Sequence, residues 1–108
     1  MATGAIAPYR GGMNSTHLLI TFQARPEAAS DFTALLQRVK HELPQVSGCR
    51  GVRVFADSSD PCVFTLLEEW ESSARHQAHI ERVVASGEWA RIRAHLAADP
   101  VSRSLVER

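Results

Sequence analysis

CVFTLLEEWESSARHQAHI, residues 62–80, joins the clearest strand signal in the chain to its most unusual helix. From Cys62 to Trp70 apolar and β-preferring residues run unbroken except for Glu68 and Glu69, the pattern of a buried strand that ends at a polar mouth. Ser72 reads as a helix N-cap. On a helix that starts there, His76, His79, Ile80 and Val83 fall at i, i+3, i+4 and i+7, so both histidines share the apolar stripe. Glu68 and Trp70 lie on the same side of the strand. Trp70, Glu68, His76 and His79 are therefore predicted to surround one semi-enclosed volume.

Working outward, Asp57-Ser58-Ser59-Asp60-Pro61 is turn chemistry, which makes Cys49–Ala56 and Cys62–Trp70 a hairpin. Upstream, Leu18, Ile20, Phe22 and Ala24 alternate with more polar neighbours over His17–Arg25, a period-two strand. Pro26 suits a first helical position, and Phe32, Leu35, Leu36, Val39 and Leu43 recur at helical spacing until Pro44 and Ser47-Gly48 stop the helix. Downstream, the helix from Ser72 runs to about Ala85, and Ser86-Gly87 separates it from a second helical segment over Glu88–Ala98 with Trp89, Ile92 and Leu96 as its core stripe. Val101–Val106 reads as a last strand. The order β-α-β-β-α-(α)-β predicts an α+β, ferredoxin-like sandwich: an antiparallel sheet with helices on one face. Apolar residues fall on both faces of several strands, Leu19 beside Leu18 and Ile20, Phe55 beside Val54, Phe64 and Leu66 beside Val63 and Leu67, and a second copy packed sheet against sheet would cover the face that the helices leave open. A homodimer through the sheet faces is expected.

The chain has 108 residues, 44% of them hydrophobic and 22% charged, the size of one domain with little spare volume for a large internal cavity. Residues 16–108 are read as that domain and residues 1–15, MATGAIAPYRGGMNS, as a flexible arm without a signal-peptide pattern. The formal net charge is zero with both signs interspersed, which gives no footprint for nucleic acid or an anionic membrane, and no apolar run approaches the roughly 20 residues of a membrane span. Cys49 and Cys62 fall at opposite ends of the hairpin, about 20 Å apart at a strand rise of ~3.3 Å, too far for a disulfide. A reduced, cytoplasmic protein is the expectation. His76 and His79 at i, i+3 have no third ligand at a recognisable spacing, so neither a metal nor another cofactor is predicted.

Gly48-Cys49 after the first helix, the Asp60-Pro61 turn, the run Phe64-Thr-Leu-Leu-Glu-Glu-Trp-Glu71, and His79 nine residues past the tryptophan resemble the antibiotic biosynthesis monooxygenase (ABM) family, within the dimeric α+β barrel superfamily. The resemblance spans about residues 16–106. It implies a dimeric barrel and, for function, a choice among cofactor-independent oxygenases of anthrones or quinols, haem-degrading enzymes and members without assigned activity. In the anthrone branch the tryptophan is accompanied by an asparagine, a tyrosine and an arginine at places held here by Leu66, His76 and Ala90, with Arg91 and Arg93 nearby. In the haem-degrading branch the strand-one asparagine corresponds to Thr21, while His79 fits the histidine. The generic quinol-oxygenase-like members match best.

That chemistry requires a base to deprotonate an electron-rich phenol, a partner for the oxyanion and a dry cavity in which the anion reduces O₂. The resemblance points to His79, His76 and Trp70 as catalytic residues, with Trp70, Glu68, Thr21 and Arg93 contacting a small aromatic substrate. The same residues have packing roles to weigh against this: Trp70 as core, the histidines as hydrogen-bonded filler, Glu68 as an ion-pair or capping group. Two alternatives stand beside the oxygenase: a haem-binding or haem-degrading protein using His79, and a dimer that binds a small ligand without catalysis.

Overall fold

The computed structural model describes residues 15–108; the expected arm, apart from Ser15, lies outside the described residues. Strand β1 (Thr16–Gln23) leads through a 3₁₀ turn opened by Pro26 into helix α1 (Ala29–Glu42). The hairpin of β2 (Cys49–Ala56) and β3 (Val63–Trp70) follows, then α2 (Ser73–Ala85), the short α3 (Glu88–Arg93) and β4 (Val101–Leu105). All pairings are antiparallel and the sheet order is β2-β3-β1-β4, the ferredoxin-like arrangement that the element order predicts.

Most element ends shift by a residue or so from the sequence reading, and the two larger differences come from one contact. Ala24 leaves β1 to form an isolated bridge with Leu96, and Arg25 N–H donates to His95 C=O at 2.9 Å. Leu96 is thereby pulled out of the second helical segment. α3 ends at Arg93 rather than Ala98, closing through tighter turns in which His95 N–H reaches Ile92 C=O and Leu96 N–H reaches Arg93 C=O.

The core lies on one face of the sheet. Phe22 and Phe64 from β1 and β3 meet Phe32 of α1 edge-to-face, each with ring centroids 5.4 Å apart, and Leu35, Leu36 and Leu66 complete the packing. A second cluster of Leu18, Leu43 and Trp70 sits at the β2 end of α1. The opposite face carries Leu19, Leu67 and Val63, with Phe55, Val101 and Leu105 exposed at 44%, 62% and 39%.

Helix α2 is docked at a single glycine. Ser72 caps it by accepting from Arg75 N–H, and Glu71 N–H donates to Gly48 C=O at 2.7 Å. Gly48 has φ +90°, and a Cβ placed there would lie 2.6 Å from the Arg75 Cβ. Gly48→Ala combines a left-handed backbone with a clash against helix backbone-proximal atoms. Urea unfolding of this variant is expected to show a loss of about 1–3 kcal/mol with an unchanged m-value; a loss below about 0.5 kcal/mol would mean that α2 is not anchored there.

Candidate active site

The end of β3 and the inner face of α2 build a buried polar knot. Glu68 and Trp70 point to the helix-covered face because strand side chains alternate. Trp70 is 0% exposed and Glu68 6% exposed, and the indole Nε1–H donates to Glu68 Oε1 at 2.8 Å. From α2 the imidazoles of His76 and His79 close over the indole, with ring centroids 5.5 and 5.1 Å from it. The i, i+3 spacing read from the sequence thus places both rings on one aromatic neighbour.

Burial sets the protonation of all three titratable groups. It pushes the Glu68 carboxyl above its ordinary value of 4.5, although the Trp70 hydrogen bond opposes this by stabilising the carboxylate. It holds His76 and His79 below 6.5, and for His79 the charge of Arg82 and the proximity of His76 act in the same direction while Glu88 acts against them. His76 Nε2 is buried with no hydrogen-bond partner among the described residues, an arrangement that favours the neutral ring.

Next to this knot is a cavity of about 190 Å³ between the sheet, α1 and the α2–α3 segment. Its walls are apolar: Ile20, Phe22 and Leu66 from the sheet, Leu35, Leu36 and Val39 from α1, Ile80 and Val83 from α2, Trp89 and Ile92 from α3. Its polar groups are His79 and three glutamates, Glu42, Glu68 and Glu88. A cavity of about 150 Å³ holds a benzene ring, so this one is the size of a single substituted ring. Among the described residues no three His, Cys, Asp or Glu side chains converge as a metal centre would require.

Four of the residues singled out in the sequence come together here, though not as equals. His79 and Glu68 line the cavity; Trp70 and His76 stand behind them and do not reach it. Trp70 therefore does not offer a stacking face to a ligand: it holds Glu68 and backs the histidines. Thr21 is elsewhere, because it lies one residue out of phase with Ile20 and Phe22 and faces Thr65 across the opposite side of the sheet, with Oγ1 atoms 3.4 Å apart. Arg93 is also elsewhere, paired with Asp99 at 2.5 Å on an exposed turn. Sequence reasoning missed Glu42 and Glu88 and treated Trp89 as plain core. The signals present were a carboxylate at the edge of the α1 stripe, three residues past Val39, and another directly after the helix-breaking Gly87.

Comparison with known proteins places this geometry in context. A family model described as antibiotic biosynthesis monooxygenase matches residues 16–98. No curated protein matches the chain. Among solved structures, a conserved protein from Methanosarcina mazei Go1 superposes with a TM-score of 0.79 at 19% identity, covering 91% of this chain and 97% of that one. A structure described as antibiotic biosynthesis monooxygenase gives 0.77 at 22% identity, covering 86% and 98%. A Bacteroides thetaiotaomicron protein of unknown function, described as a "possible oxidoreductase", gives 0.75 at 14% identity, covering 88% and 99%. At these identities the structural likeness establishes the fold.

The pKa directions give opposed pH dependences. Glu68 binds its proton more tightly in the native chain, so above about pH 4.5 it removes stability progressively as pH rises through its folded value; His76 and His79 bind theirs less tightly, so stability falls as pH drops from about 6.5. Glu68→Gln keeps an acceptor for Trp70 and removes only the first effect. Its melting temperature relative to the parent is expected to improve as pH rises above about 4.5, levelling off once Glu68 has ionised in the native chain; a difference that stays constant with pH would show that Glu68 is not desolvated.

Proposed function

Since the chain belongs to the antibiotic biosynthesis monooxygenase family, we propose that it is a cofactor-independent monooxygenase acting on a small, single-ring, quinol-like aromatic molecule. The observation that carries this reading is an apolar cavity of one-ring size with a depressed, neutral imidazole, His79, in its wall. His79 is the base. It takes the phenolic proton and, as imidazolium, becomes the counter-charge of the phenolate inside a wall that otherwise carries only carboxyl groups. Glu68, biased by burial toward its protonated form, offers an O–H to a second ring oxygen. Trp70 and His76 act as positioning residues: the indole fixes Glu68 and both stack the α2 end in place.

The reaction balances without an external reductant. The phenolate passes an electron to O₂, the resulting pair recombines to form a ring C–O bond, the O–O bond breaks with loss of the ring hydrogen, and the second oxygen leaves as water. A hydroquinone thus supplies all four electrons that O₂ takes up and departs as a hydroxyquinone. Desolvation in the apolar cavity assists electron donation by leaving the phenolate without water to stabilise it. Haem fits this cavity poorly, being far larger than one ring and carrying two propionates toward a wall of glutamates.

The same proposal includes a homodimer through the open face of the sheet. Leu19 lies opposite Leu67, Thr21 opposite Val101, and Phe55 beside Arg53, whose guanidinium sits 5.1 Å from its ring, so an apolar centre with charged margins is available to a second copy. The sheet itself separates that face from the cavity. Among the described residues no helix is long and apolar enough to cross a membrane.

Dissolved-O₂ measurements with a panel of substituted hydroquinones are expected to show consumption without added metal or haem, reduced by about 10²-fold or more in His79→Ala. Consumption that survives His79→Ala, or a Soret band from added haemin that disappears in it, would move the site to other chemistry. Phe55→Asp is expected to halve the mass measured by light scattering; an unchanged mass in that variant and in Leu19→Asp would place any association elsewhere.

A further inference from the structure

The cavity has a one-sided charge. Among the described residues, every ionisable group in its wall apart from His79 is a carboxyl, Glu42, Glu68 or Glu88, and no lysine or arginine reaches it. Glu42 and Glu88 also line the groove that adjoins the cavity between α1 and α3, and they share Leu35, Val39 and Ile92 with it, so the two carboxylates stand at the throat. Among the described residues neither forms an ion pair. Deeper in, Glu68 is more than nine-tenths buried, accepts from Trp70 through Oε1 and lines the cavity. The arginines nearest the opening, Arg38 and Arg91, line only the outer groove, together with Asp31 and His95.

A carboxylate or phosphate on the ligand would lose its hydration in an apolar space and meet like charge at the throat. An ammonium group there keeps its donors satisfied by charge-assisted hydrogen bonds while the ring is desolvated behind it. We infer that the site selects by charge: it takes a single-ring aromatic molecule carrying a protonated amine on a short side chain, with the ring in the cavity and the ammonium between Glu42 and Glu88. This rests on the cavity being the ligand site and not on the oxidation. Side-chain length matters, since a longer anionic tail that cleared the throat would reach Arg38 and Arg91 instead.

Calorimetric titration of the full chain at pH 7 with three ligands sharing one ring and a two-carbon side chain tests the inference: tyramine, 4-ethylphenol and 3-(4-hydroxyphenyl)propionate. Tyramine is expected to bind about five- to tenfold more tightly than 4-ethylphenol, and the propionate more weakly than both. In the exposed-site double variant Glu42→Gln/Glu88→Gln the ratio of amine to neutral affinity is expected to collapse toward one, whereas Arg38→Gln/Arg91→Gln should preserve the order. Equal or tighter binding of the propionate overturns the inference. So does an amine preference that persists in the double glutamine variant, or no binding of any of the three. Because binding is read without turnover, ligands that bind in this order with no O₂ consumption defeat the oxygenase reading alone, and O₂ consumption paired with anion preference defeats the charge selection alone.

Discussion

The hydrogen bond from Trp70 to Glu68 is the constraint on which the functional half of the molecule depends. Each group would be expensive alone at this depth: an indole N–H without an acceptor costs about 1–3 kcal/mol, and an isolated buried carboxylate costs more. At 2.8 Å they satisfy each other, on side chains two residues apart that the pleat of β3 already directs to one face. The carboxyl is thus held at the cavity wall by a residue that never touches the cavity. The same indole then serves as the surface on which α2 rests its two histidines. A hydrophobic pair at these positions would pack as well and leave nothing to orient a proton donor. The polar pair is tolerated because the indole N–H has its acceptor and the carboxyl has a donor.

How α2 comes to that surface is decided at the other end, by Gly48. Its left-handed backbone lets the loop before β2 present a carbonyl to Glu71, and its missing Cβ lets the Arg75 stem lie directly against it. The next residue along α2 is His76, and about one turn beyond it is His79. The positions of the two imidazoles over the indole therefore follow from a close backbone approach on the rim and from helical periodicity, with no hydrogen bond to either ring needed to hold them. That is consistent with the neutral state that burial imposes on both.

Much of this was legible in the residues. Alternation over Leu18–Ala24, the Asp57–Pro61 turn and the stripe Phe32–Leu43 dictate the sheet and its cover, and the i, i+3 histidines next to a strand ending in Glu-Glu-Trp dictate where the polar groups converge. Depth was not legible. Spacing fixes which way Trp70 points but not that α2 and Leu43 would seal it completely, so a side chain read as a stacking platform is a buried strut. Thr21 is a different case: its parity already set it opposite Ile20 and Phe22, and only the family resemblance suggested otherwise. Arg93 depended on a partner, Asp99, brought back by a turn that exists because Leu96 pairs with Ala24. Contacts of that kind are tertiary in origin and leave no local mark.

The split between the two faces of the sheet bears on why so small a chain can carry a cavity at all. A domain of this length has one core, and here a pocket of about 190 Å³ opens into it beneath α1 and the α2–α3 segment. Apolar side chains lining an open pocket forgo packing contacts that a filled core would give them, so the pocket costs stability that other contacts must offset. In the proposed assembly the far face supplies the offset, since burying Phe55, Val101, Leu105 and Leu19 against a second copy adds apolar contact without touching the helix-covered side. The cavity can then stay open for a ligand because stability is drawn from a surface that the ligand never meets.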